Sequence, residues 1–124
     1  MAFVSSLPLA RVTSQMIKQT ALGTTADNNI TGANSTIHML DITNNHGSAT
    51  GYLKIFDSKS PTVGTTTPDI VIPVAGAQRQ IVTVAEGITA TNGISWAFVN
   101  AAGTGGTGAI TGGALVIAVV KAGS

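Results

Sequence analysis

The clearest structural signal in the chain is residues 93–100, which read GISWAFVN. Ile94, Trp96 and Phe98 alternate with other residues, and this period of two is typical of a strand with one buried face. The Asn92-Gly93 pair just before them is a turn signal, because both residue types accept positive φ. The segment therefore predicts a β-strand whose aromatic and aliphatic face enters a core.

Similar patterns recur along the rest of the chain after residue 35. Alternating or short apolar runs, bounded by turn residues, predict five more strands: Thr36–Asn44, Gly51–Asp57, Ile70–Val74, Arg79–Ala85 and Ala114–Lys121. The last is almost entirely apolar, which is typical of a strand that is central or covered on both faces. Short strands in this rhythm predict an all-β fold, an antiparallel β-sandwich or jelly-roll-like single domain.

The alternation also assigns residues to a core between two sheets. The predicted core residues are Leu40, Ile42, Leu53, Ile55, Val82, Val84, Ile94, Trp96, Phe98, Leu115, Ile117 and Val119. Tyr52, Lys54 and Phe56 fall on the opposite face of their strand. We therefore expect Lys54 and the nearby Asp57 to be outward polar residues.

The first 35 residues follow a different pattern. Residues 11–20 fit both a helical stripe and an alternating strand, and we interpret them as an edge strand. Residues 21–35 are rich in turn residues and are interpreted as a loop. Residues 1–10 are interpreted as an extended N-terminal arm, followed by a single β-sandwich domain over residues 11–124.

The arm is apolar, and Pro8 disfavours a helix through it. It either reaches a neighbouring molecule or packs on its own core. Its candidate contact residues, with another molecule or another subunit, are Phe3, Val4, Leu7 and Leu9.

Composition limits the classes of function. The 124 residues suffice for one core, and 9% are charged, against a usual share of about 25%. The net charge is +1 and the charges are scattered, which argues against nucleic-acid partners and against polybasic membrane binding. Either partners cover much of the surface, or Thr, Ser, Asn and Gly keep it polar without charge. There is no cysteine, hence no thiolate chemistry.

Motifs for chemistry are weak. Gly103–Gly108 matches G-x-G-x-x-G, but it leads into an apolar strand where a dinucleotide site needs a helix. Ser95 lies in a strand and lacks the second glycine of a nucleophile elbow. His38 and His46 show no metal-ligand or acid–base spacing with the aspartates. We therefore expect a protein that is not an enzyme, with no catalytic, cofactor-binding or metal site.

Several segments together resemble known proteins. They are LDITN at 40–44, GYLKIFD at 51–57, GTTTPDI at 64–70, IPV at 72–74, GI at 87–88 and NGISWA at 92–97. This succession, over about residues 36–120, resembles small β-sandwich virion proteins of tailed bacteriophages, some of which are capsid cement or decoration proteins.

The resemblance implies a structural virion protein that binds and stabilises the outer surface of a bacteriophage head. Its partners would be the major capsid protein and copies of itself. It would be made in the host cytoplasm and reside on the capsid surface of the virion. Two alternatives stay open, a phage tail or tail-fibre component and a bacterial glycan-binding or adhesin-like module. An aromatic content of 4% disfavours the glycan-binding module.

Overall fold

The computed structural model describes residues 14–28, 30 and 34–121. The described residues contain strands and no helix. The strands are β1 (Ser14–Leu22), β2 (Ser35–Asn44), β3 (Gly51–Asp57), β4 (Ile70–Val74), β5 (Arg79–Ala90), β6 (Ile94–Val99) and β7 (Ala114–Lys121). No helix of these residues is long and apolar enough to cross a membrane. Residues 1–10, the predicted arm, lie outside the described residues.

Two antiparallel sheets pack against each other and confirm the predicted all-β sandwich. The first sheet has the order β1-β7-β2-β5 and the second has the order β4-β3-β6. The apolar β7 lies inside the first sheet, between β1 and β2, as its composition predicts. The prediction of an edge strand near the N-terminus is also confirmed, because β1 has one strand partner and lies at the sheet border.

The predicted loop over residues 21–35 is wrong in part. Ala21 and Leu22 continue β1, and Ser35 begins β2. Between these strands, the backbone of Asp27 exchanges two hydrogen bonds with Trp96, with N···O distances of 2.8 and 3.1 Å. The carbonyl oxygen of Gly23 accepts a hydrogen bond from the N–H of Phe98, and the N–H of Ile30 donates to the carbonyl oxygen of Ile94. This segment therefore covers the free edge of the second sheet.

The core lies between the sheets. Trp96, Phe98 and Ile94 are fully buried there, together with the inner residues of β2 and β3. Seven of the predicted core residues are buried, namely Leu40, Ile42, Leu53, Ile55, Ile94, Trp96 and Phe98. Val82 is half-buried and packs against this cluster. Val84 is half-buried as well.

The predicted face of β7 is wrong. The buried residues of this strand are Ala114, Val116, Ala118 and Val120. Leu115, Ile117 and Val119 instead lie on the outer face, where they are half-buried. Residues 114–120 are all apolar and carry no alternation of their own, so only the exposed Lys121 at the end of the strand marks the outer side. A shift of one residue exchanges the two faces of a strand. The small side chains of Ala114 and Ala118 share the cluster with the bulky Trp96 and Phe98 and leave them space.

Candidate interaction surfaces

The outer face of the four-stranded sheet is the first candidate surface. Strand pairing aligns Met16, Val119 and Met39 in one row across the sheet, and Ile117 and Ile81 in the next. Met16 is 72% exposed and Ile81 is 52% exposed. We name this surface the apolar face, defined by Met16, Met39, Ile81, Leu115, Ile117 and Val119.

An ion pair lies within the apolar face. Arg79 donates from Nε to Oδ1 of Asp41 at 2.8 Å and from Nη2 to Oδ2 at 2.6 Å, a bidentate arrangement. The hydrogen bond from Arg79 lowers the pKa of Asp41, against a smaller opposing effect of burial. The same bond raises the pKa of Arg79. The two charges offset each other, so the centre of the face is close to neutral.

The outer face of the three-stranded sheet is covered by two loops, residues 58–69 and 100–113. Ser95 donates from Oγ to the carbonyl oxygen of Ser58 at 2.6 Å, which holds the first loop against β6. The loops also approach each other, because a Cβ on Gly64 would lie 2.6 Å from the Thr107 methyl group. Phe56, Ala97 and Val99 on this face are buried.

Lys54 lies beneath the second loop, and the expectation that it is an outward polar residue is wrong. It is 1% exposed, and its Nζ donates to the carbonyl oxygens of Gly103 and Gly106 at 2.5 and 2.9 Å. Burial lowers its pKa. Backbone carbonyl oxygens of the glycine-rich segment thus form a carbonyl cradle for an ammonium group.

A third candidate surface is a cavity of about 180 Å³ at one end of the sandwich. We name it the end cavity. Its lining residues are Ile37, Ile55, Phe56, Asp57, Asp69, Ile70, Ile88, Thr89, Ala90 and Ile94. The five isoleucines make it apolar, while the carboxyl groups of Asp57 and Asp69 give it acidic character.

Asp57 also organises the wall of the end cavity. Its Oδ1 accepts from the backbone N–H of Asn92 at 2.7 Å, and its Oδ2 accepts from that of Thr91 at 3.1 Å. Burial raises the pKa of Asp57, but hydrogen bonds from Asn92, Thr91 and Gly93 outweigh it, and the pKa is lowered. The carboxylate is therefore charged at neutral pH and fixes the turn before β6.

The candidate contact residues Phe3, Val4, Leu7 and Leu9 lie outside the described residues, so their roles stay predictions. Ser95 is buried, with its hydroxyl bonded to Ser58. Nδ1 of His46 accepts from the backbone N–H groups of Ser48 and Ala49, which shapes a turn. Within the described part of the chain, no three His, Cys, Asp or Glu residues cluster as metal ligands would.

Sequence reasoning missed the apolar face, although two signals pointed to it. Met39 and Asp41 alternate with the buried Leu40 and Ile42, so the sequence already placed an apolar residue on the outer side of β2. The uniform apolarity of β7 was a second signal, because a central strand buries one face in the core and brings its other residues outward. Comparison with family models, with curated proteins and with solved structures finds no match to this chain.

Proposed function

We propose that this protein is a structural component of a bacteriophage virion, a decoration or cement protein that binds the outer surface of the head through its apolar face. The observation that carries the proposal is the exposure of Met16 and Ile81 on a sheet surface where apolar side chains surround a single ion pair. Exposed contiguous apolar surface on a folded domain is typical of a protein–protein interaction site. The choice of a phage head as partner rests on the sequence resemblance.

The size of the apolar face suits an interface. Four strands about 4.8 Å apart and eight residues of about 3.3 Å each give a projected area of roughly 400–500 Å². A stable interface buries about 800 Å² on each partner. The whole outer face of the sheet, with its apolar and polar residues together, therefore supplies about half of one side, and a second element such as the N-terminal arm supplies the rest.

The electrostatics of the face favour a partner that is itself weakly charged. Asp41 and Arg79 neutralise each other at its centre, leaving Lys18 and Lys121 as exposed cations near its border. Since long-range attraction is then weak, affinity has to come from shape and apolar burial. Reinforcement of a shell also requires no catalytic group.

Fractionation of virions tests the location. In a phage whose genome carries the gene, an epitope-tagged copy is followed through separated heads and tails. We expect the protein with heads. Recovery with tails only would replace this proposal by the tail-component alternative, and absence from both fractions would contradict a virion role.

Binding to heads that lack the protein tests the surface. The variant Met16→Lys/Ile81→Lys adds two charges to the apolar face, while Thr65→Lys/Thr67→Lys adds the same charges to an exposed loop elsewhere. We expect the first variant to lose head binding and the second to keep it, with both retaining the wild-type thermal midpoint. Equal binding by both variants would show that a surface other than the apolar face binds the head.

A further inference from the structure

Ser14, the first described residue of the chain, lies at the end of the sandwich where the end cavity opens. Ser14 pairs with Lys121, Lys121 pairs with Thr36, and Thr36 pairs with Thr89, so these four residues form one row across the four-stranded sheet. Thr89 lines the end cavity. Residues 1–13 precede Ser14, so they connect to the chain in the row that has Thr89 and the end cavity at its other side.

The segment that precedes Ser14 is long enough to span the distance from Ser14 to the end cavity. Three strand spacings of about 4.8 Å place Thr89 roughly 14 Å from Ser14. The five residues from Leu9 to Ser14 span at most about 17 Å when extended. Leu9 can consequently reach the cavity of its own chain, and a tethered segment is present at millimolar effective concentration.

The end cavity and the N-terminal arm have complementary chemistry. The cavity volume of about 180 Å³ resembles that of an apolar protein cavity of about 150 Å³ that binds benzene, so one leucine side chain fits. Arg11 is the charged residue of segment 1–13, and residues two apart share one side of an extended chain. Arg11 can thus face the carboxylates of Asp57 and Asp69 when Leu9 enters the cavity.

We propose that the end cavity binds the side chain of Leu9 from the N-terminal arm of the same chain, with Arg11 paired to the acidic rim. Phe3 and Val4, farther along the arm, are then left to contact a neighbouring subunit. This docking is independent of the virion function, since it concerns the isolated protein.

Cross-linking of the full chain tests the proposal, and the absence of native cysteine makes the experiment clean. The variant Ala10→Cys/Thr89→Cys keeps Leu9 and Arg11 and is treated with a short bismaleimide. The matched control is Ala10→Cys/Thr111→Cys, because Thr111 is exposed and precedes β7 at the opposite end of the sandwich. We expect an internally cross-linked monomer for the first variant, in several-fold higher yield than for the control.

Methyl NMR of the isoleucines gives a second readout that tolerates poor cross-linking geometry. Leu9→Ser should shift the methyl resonances of Ile37 and Ile88, which line the end cavity, whereas Leu7→Ser should leave them nearly unchanged. Unchanged resonances in Leu9→Ser would overturn the proposal. A product cross-linked only between two chains would also overturn it, by showing that the arm is exchanged between copies.

Discussion

The two outer faces of the sandwich show that polarity alone does not decide which residues are buried. Lys54, a charged residue on the three-stranded sheet, is 1% exposed, while Ile81, an aliphatic residue on the four-stranded sheet, is 52% exposed. The difference arises because the loops of residues 58–69 and 100–113 both cover the three-stranded sheet. The apolar face of the four-stranded sheet, which these loops do not cover, therefore keeps Met16 and Ile81 exposed.

The largest effect should come from an aromatic residue on the covered face. Phe56→Ala removes a side chain that is 1% exposed, and we expect it to lower the free energy of unfolding by about 3–5 kcal/mol, as in a core. The matched change on the open face, Ile81→Ala, should cost less than about 1 kcal/mol. Urea denaturation measures both. Similar losses for the two variants would remove the distinction between the faces.

The carbonyl cradle should give the next largest effect. Lys54→Met leaves the carbonyl oxygens of Gly103 and Gly106 without their donor, which should cost about 1–3 kcal/mol. Hydrogen exchange in residues 100–113 should accelerate at the same time. An unchanged exchange rate would show that the loop does not depend on Lys54.

The pH dependence of the same residue sharpens this test. Burial lowers the pKa of Lys54 in the folded state. The charged ammonium form of Lys54 therefore reduces the stability of the folded state. The resulting penalty is fully present below the lowered pKa and is relieved as the pH rises from that value toward 10.5. The wild type should therefore gain stability over this window relative to Lys54→Met, as measured by urea titration at each pH. A constant difference between the two proteins would contradict the lowered pKa.

The ion pair on the open face should have a smaller effect that depends on salt. The pKa of Asp41 is lowered below its ordinary 3.8, so the charged carboxylate stabilises the fold above that pH. This contribution is lost as the pH falls through the lowered pKa. Asp41→Asn should therefore lower the thermal midpoint at neutral pH and low salt, and should lower it by a smaller amount in 1 M salt. A shift that persists far below pH 3.8 would point to packing instead.

The smallest effect on stability should come from the exposed residues of the apolar face. Met16→Gln/Ile81→Thr should change the free energy of unfolding by less than about 1 kcal/mol, since both side chains are more than half exposed. Self-association of the free protein, measured by sedimentation velocity, should nevertheless fall. Thr67→Gln on the covered side serves as the control. Unchanged sedimentation would show that the apolar face does not mediate self-association.

The sequence alone determined the strand order along the chain, the sandwich and seven of the sixteen buried residues of the core cluster. Alternation in residues 93–100 and the turn residues between strands carry that information locally, because each strand has to bury one face. The same reasoning did not identify the inner face of β7, because residues 114–120 all suit the core and only the terminal Lys121 marks the outer side. In the folded protein, Ala114 and Ala118 join the core cluster that holds Trp96 and Phe98.

Only the tertiary structure decided which surface stays open. Of the loops that cover the three-stranded sheet, residues 58–69 are mostly polar and residues 100–113 are rich in glycine. No local pattern states which sheet they cross. The end cavity likewise depends on β2, β3, β4, β5 and β6 meeting at one end of the sandwich. Burial along a strand follows from neighbours in sequence, whereas covering a sheet depends on contacts between residues far apart in the chain.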